Sequence, residues 1–195
     1  MQEKLLTQRK NYLAYGVYIG GKNVTRDMRD FVYKIKPDGL AILNVRKIDK
    51  RIRVAAKFLA RHKNILIASR KKFTKNMVEK FGEMIGAKVS TGRFLPGTLT
   101  NPKSENYYEA EVLLIIDPEA DKRALEEAVK ARVPVVAISN STIEVKNVDL
   151  IIPANNRSKK PLGLVFYLLS REILKERGVI KSYEEFKYTP EDFII

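Results

Sequence analysis

The sequence contains no cysteine, no tryptophan and a single histidine, His62. Without cysteine there is no disulfide framework, no thiol nucleophile and no cysteine-ligated zinc or iron–sulfur centre. One histidine excludes a multi-histidine metal site within one chain. No apolar run approaches the ~20 residues of a membrane helix. The first residues, Met1-Gln2-Glu3-Lys4-Leu5-Leu6-Thr7-Gln8, carry an acid and lack the apolar stretch of a secretory signal. There is no proline-rich linker, no low-complexity segment and no repeat of 20–50 residues. These absences lead to the expectation of a soluble intracellular protein built as one domain.

What is present is positive charge. Among 195 residues, 37 Lys or Arg face 23 Asp or Glu, a net +14. The charge is polarised: residues 1–103 hold 24 bases against 7 acids, and residues 104–195 hold 13 against 16. A basic half-chain on a sequence that is 45% hydrophobic is the composition of a folded domain with a polyanionic partner, most often nucleic acid.

The hydrophobic pattern alternates between strand and helix. Residues 1–15 are expected to be helical, ending at Gly16, and Thr25 to cap a short helix to about Tyr33. Apolar runs at 40–45, 64–68, 87–90, 111–116, 133–138 and 148–152 predict strands, the last at a sheet edge. Between them Ile48, Ile52, Ala55, Ala56 and Leu59, then Phe73, Met77, Val78, Phe81 and Ile85, recur at helical spacing. Gly86 and Gly178 are helix stops, and Pro161 sits near the start of the last helix. Strands alternating with helices of this length predict βαβ units: an α/β sandwich with a mainly parallel sheet covered on both faces. Residues 1–36 are then an N-terminal helical arm, 37–178 the core and 179–195 a tail packed on the body or on a partner.

Few motifs carry chemistry. Residues 16–23, Gly-Val-Tyr-Ile-Gly-Gly-Lys-Asn, almost match a phosphate-binding loop. The pattern requires Ser or Thr where Asn23 stands, and a buried strand before it. Asp117, at the end of an apolar run, imitates a magnesium-binding aspartate. Asp117-Pro118-Glu119 reads more simply as a helix start. A nucleotide-binding α/β enzyme using Lys22 and Asp117 is therefore the competing reading. His62 fits a helix C-terminus, Glu126 and Glu127 an exposed helix face, and no catalytic constellation assembles.

The basic stretches are more specific. Arg46 and Lys47, with Arg51, follow the first predicted strand; Arg70, Lys71 and Lys72 follow the second. In a parallel sheet such loops share the carboxyl edge, where ligands of this fold class bind. Cations at helix starts oppose the helix dipole, a local cost that argues for a phosphate partner ahead of plain solvation. Lys22, Arg26 and Arg29 extend the patch, Arg93 and Lys103 flank the glycine- and proline-rich loop 92–102, and Arg157, Lys159 and Lys160 precede the last helix.

That loop, Gly92-Arg93-Phe94-Leu95-Pro96-Gly97-Thr98-Leu99-Thr100-Asn101, resembles the signature loop of the ribosomal protein SA family. This laminin-receptor-like family is the archaeal and eukaryotic form of the universal small-subunit ribosomal protein number two. Ile19-Gly20-Gly21-Lys22-Asn23, Asp38 to Asn44, Asp117-Pro118, Pro134 to Ile138 with Asn140, Val148-Asp149, Ile152-Pro153, Asn155-Asn156, Gly163-Leu164 and Arg171-Glu172 match it in order. The resemblance implies a flavodoxin-like three-layer αβα sandwich with a five-stranded parallel core plus an edge strand. It implies a non-catalytic constituent of the cytoplasmic small ribosomal subunit, without cofactor, metal or small-molecule substrate. Such a protein binds small-subunit rRNA and neighbouring ribosomal proteins and joins late in assembly. Two positions depart from the family pattern: Tyr18 stands where histidine is usual, and Asn140-Ser141-Thr142 lacks the usual aspartate. The absence of the bacterial helical-hairpin insertion and of the eukaryotic acidic extension indicates the archaeal branch.

Overall fold

The computed structural model describes residues 5–194. The expected first helix is the short α1 (Arg9–Ala14), and residues 1–4 of that expectation lie outside the described residues. A 3-10 helix, Arg26–Phe31, leads into β1 (Val32–Ile35), which pairs antiparallel with β2 (Ala41–Leu43). This corrects the sequence reading. The apolar run at 40–45 is a strand, but it lies in a separate hairpin and not in the parallel sheet. The turn at Lys36 to Gly39 closes the hairpin: Gly39 has φ +81°, and Asp38 Oδ1 accepts Leu40 N at 3.0 Å.

Four longer helices and five strands follow. Asn44 caps α2 (Val45–Ala60) by accepting Arg46 N at 3.0 Å. Then come β3 (Ile65–Ser69), α3 (Lys75–Ile85), β4 (Lys88–Thr91), β5 (Val112–Ile115), α4 (Lys122–Ala131), β6 (Val135–Ser139), β7 (Leu150–Pro153) and α5 (Lys159–Glu176). Gly86 and Gly178 adopt φ +69° and +72° as helix stops, the conformation glycine reaches without a Cβ penalty. The five strands are parallel in the order β4-β3-β5-β6-β7, with β7 at an edge.

Alternate residues of each strand face opposite layers. Ile65, Ile67, Val112, Leu114 and Val136 pack with α2, α3 and α5, whereas Leu66, Ala68, Leu113, Ile115 and Ala137 pack with Ala124, Leu125 and Ala128 of α4. Phe94 and Leu99 of the long loop complete that second layer. Glu127 holds the loop there by accepting Gly97 N at 2.8 Å and Leu99 N at 3.2 Å. It is half-buried, so only Glu126 of that pair is solvated as the sequence suggested.

The sheet edges are tied at both ends of the strands. At the amino end the Arg177 guanidinium donates to Ile85 O (2.5 Å), His62 O (2.9 Å) and Ala60 O (3.4 Å), gathering the ends of α2, α3 and α5. At the carboxyl end the segment 17–25 is laced to residues from the far end of the chain. Gly21 N donates to Ser141 Oγ (2.8 Å), Thr25 N to Ser141 O (3.0 Å) and Asn155 N to Val17 O (3.0 Å). The tail lies on the body: Phe186 and Phe193 are buried, and Ile194 occupies the space a Cβ at Gly163 would need.

Candidate nucleic-acid interface

The parallel connections start α3, α4 and α5 at the carboxyl edge of the sheet. The shared Arg177 anchor at the opposite end orients α2 the same way. None of these four helices has an acidic residue in its first turn. Cations stand there instead: Arg46 and Lys47 on α2, Lys75 on α3, Lys122 and Arg123 on α4, Lys159 and Lys160 on α5. Each cation at a helix N-terminus opposes the dipole by roughly 0.3–1 kcal/mol. Four positive helix ends and their added bases therefore produce one anion-attracting end on the molecule.

Most of the sequence-selected residues present exposed side chains there. Arg46, Lys47, Arg70, Lys72, Arg157, Lys159 and Lys160 are all exposed. Lys47 Nζ also donates to Asp30 O, and Arg157 Nη2 to Thr142 Oγ1 at 2.9 Å. The methyl of Thr142 lies 2.2 Å from where a Gly21 Cβ would be, which links Arg157 to the Lys22 segment. Lys22 and Arg29 line an open groove with Val24, Val32 and Ile35, and Arg26 is exposed on the adjoining turn. Arg51 is half-buried, its guanidinium 5.2 Å from the centre of the Phe31 ring.

Two residues are placed differently. Lys71 turns inward: Nζ is 2.5 Å from Asp117 Oδ2 and 2.8 Å from Asn156 O. It bridges the loops after β3, β5 and β7, a structural position rather than a surface one. Lys103 is exposed on the long loop that packs against α4, and not in the first turn of a helix. Arg123, in contrast, escaped the sequence reading. The Asp117-Pro118-Glu119 signal placed an acidic first turn there, but Asp117 only closes a turn by accepting Glu119 N and Ala120 N, and α4 begins at Lys122.

The interior of this edge is polar, and most of its groups are paired, although the buried Asn140 Nδ2 and Asn156 Oδ1 have no partner among the described residues. Buried Asn156 donates to Ile116 O (3.0 Å) and Ile138 O (3.3 Å), tying β5 to β6. Asp121 is buried and accepts Arg70 N at 2.6 Å and Asp117 N at 3.2 Å. Burial nevertheless pushes its carboxyl up to about 6, against those hydrogen bonds.

The phosphate-loop look-alike does not form a cradle. It follows a helix instead of a strand and leads into extended chain and a 3-10 turn. Gly20 N donates to Ala41 O and Gly21 N to Ser141 Oγ, so these amides are spent internally. The glycines serve close packing: a Cβ at Gly20 would come within 2.8 Å of Ala41 O. Asp117 is engaged by Lys71. His62 ends α2, packs edge-on to Phe58 with centroids 4.8 Å apart and lies 3.6 Å from Glu111. Among the described residues no His, Asp or Glu group could hold a metal, and no helix is long and apolar enough to cross a membrane.

A profile of the family described as Ribosomal protein S2 matches residues 12–109 and 105–176. The small ribosomal subunit protein uS2 of Picrophilus torridus is 44% identical over 195 residues, covering 99% of this chain and 98% of that protein. The protein of the same name from Methanococcus maripaludis is 42% identical over 194 residues, covering 98% and 87%. That from Staphylothermus marinus is 44% identical over 192 residues, covering 97% and 87%.

Proposed function

The chain belongs to the ribosomal protein S2 family, and from that membership we propose that it is a structural constituent of the cytoplasmic small ribosomal subunit, held there by its rRNA. It is not an enzyme. The observation that carries the rRNA reading is the carboxyl edge, where four helix N-termini, none with an acid in the first turn, present exposed bases. Arg46, Lys47, Arg70, Lys72, Arg157, Lys159 and Lys160 are its phosphate contacts, with Lys22, Arg26, Arg29 and Arg93 at its margins. Contacts of this type position a protein and carry little base specificity, because A-form RNA is read mainly by shape and backbone. The protein joins the subunit late and touches neighbouring ribosomal proteins through its less basic half.

Sedimentation tests the assignment. In a native lysate the chain co-migrates in near-stoichiometric amount with small subunits and whole ribosomes, and high salt releases it. Assembly precursors that sediment below the mature subunit lack it. Confinement to the light fractions would refute the reading. For the interface, Arg46→Ala, Lys72→Ala and Lys159→Ala together lower the log–log salt slope of RNA binding by roughly 2–3, at about 0.7–0.9 per lost phosphate contact. An unchanged slope removes the helix starts from the interface.

A further inference from the structure

The strand order reverses between β3 and β5: from β3 the chain passes to β4 on one side and then returns to β5 on the other. In a doubly wound sheet the loops at such a point diverge to opposite faces and leave a crevice at the carboxyl ends, where ligands bind. Lys71 fills part of it from the α3 side. On the α4 side a cavity of about 260 Å³ stays open, lined by Ser69, Arg70, Ser90, Arg93, Phe94, Asp121 and Arg123 among others. Arg70, Arg93 and Arg123 come from the loops after β3 and β4 and from the start of α4. Their guanidiniums make no hydrogen bond or ion pair with any described residue, unlike those of Arg157, Arg171 and Arg177. Asp121, whose oxygens each accept one backbone N–H and retain further acceptor capacity, lines the same cavity as a buried carboxyl, and Phe94 supplies an aromatic wall.

We propose that this cavity receives one unpaired nucleotide of the bound RNA, its phosphate on Arg70, Arg93 and Arg123 and its base between Phe94 and Asp121. The inference rests on the rRNA reading above and adds a specific subsite to it. Size selects the ligand. The cavity falls below the ~300–1,000 Å³ of sites that take drug-sized ligands, so it accommodates a single nucleotide moiety and not a dinucleotide cofactor. Chemistry selects it as well. Planar guanidiniums match phosphate in forked geometry, and an aromatic wall with a buried acceptor suits a base edge bearing N–H donors. A base extruded from a helix is the form in which RNA offers both at once.

The test compares two RNA hairpins of equal length, one fully paired and one with a single bulged nucleotide, by fluorescence anisotropy with the full chain. The native protein binds the bulged hairpin at least tenfold more tightly, about 1.4 kcal/mol. Ala120→Leu, at a half-exposed position on the cavity wall, fills the space without removing charge. It abolishes the difference and leaves affinity for the paired hairpin unchanged. Arg123→Ala, at an exposed position, reduces the difference at least threefold should the first variant fold poorly. Equal affinity of the native protein for both hairpins overturns the subsite while the rRNA reading stands. A preference that survives in both variants overturns it too, since recognition then lies elsewhere. Failure to bind either hairpin defeats the rRNA reading itself.

Discussion

Replacing Arg177 tests whether one side chain closes the amino end of the α2–α3–α5 layer. Its fork donates at 2.5 Å to Ile85 O and 2.9 Å to His62 O, with a third, longer contact of 3.4 Å to Ala60 O. Ile85 O and Ala60 O lie in the last turns of α3 and α2, whose orphan acceptors need partners, and His62 O lies in the turn just beyond α2. A hydrogen bond from a charged donor contributes about 1.5–3 kcal/mol, so the two short ones give roughly 3–6 kcal/mol at full burial. Arg177 is only half-buried, and water reaches the vacated carbonyls in part, which brings the expected loss for Arg177→Met to about 3 kcal/mol. Arg177→Lys keeps the charge and reaches only some of the acceptors, so it costs about 1.5 kcal/mol. Urea unfolding followed by circular dichroism measures both, with an unchanged m-value showing that the unfolded state is unaffected. For a chain of this length 3 kcal/mol corresponds to roughly 6–12 °C in Tm. A loss below about 0.5 kcal/mol for Arg177→Met, the range of an ordinary surface change, would refute the reasoning. Full stability of Arg177→Lys would show that charge matters and the fork does not.

Other outcomes follow from the same structure. Lys71→Ala leaves the salt slope of RNA binding unchanged but lowers stability by about 3 kcal/mol, because it strands Asp117 in a largely buried ion pair; a changed slope with intact stability would return Lys71 to the interface. Asp121 titrates at about 6 in the folded protein and near 3.8 unfolded, so its stabilising contribution is complete below pH 4 and is lost as pH rises through 6. Denaturant unfolding from pH 4 to 7 therefore shows native stability falling relative to Asp121→Asn by on the order of 3 kcal/mol, whereas parallel curves would contradict the burial argument. Arg132 closes α4 at φ 57° on an exposed site, so Arg132→Gly relieves left-handed strain and raises stability by about 1 kcal/mol; a lower Tm would count against it.

The sheet was legible because its central strands β3, β5 and β6 are buried on both faces and read as continuous apolar runs, such as Ile65-Leu66-Ile67-Ala68. The hairpin was half legible. Leu40 to Leu43 announces a strand, but Val32-Tyr33-Lys34-Ile35 does not, since Tyr33, Lys34 and Ile35 are all exposed and no apolar alternation marks them. Without that partner in the pattern, the run at 40–45 reads as a strand of the parallel sheet, whereas it pairs in the hairpin. At the candidate interface, the sequence shows which loops are basic but not the direction of each side chain. Nothing local separates Lys71 from Arg70 and Lys72. What turns it inward is Asp117, brought alongside by the β3–β5 pairing. Arg123 was hidden by an acidic turn that mimics a helix start, and Glu127 by a loop whose docking no helical pattern records.

The lacing of residues 17–25 to Ser141 and Asn155 sets an order of events at synthesis. The amino-terminal segment leaves the exit tunnel first, yet Ser141 and Asn155, which seat it, are made more than a hundred residues later. At ~5–20 residues per second the interval is on the order of 10 s, far longer than helix or hairpin formation. Throughout that time the Gly20-Gly21 strip and the β1–β2 hairpin exist without their seat. The glycine strip then closes over the loop after β6 as a latch, so the first-translated part of the carboxyl edge is seated only after the strands that receive it have been made.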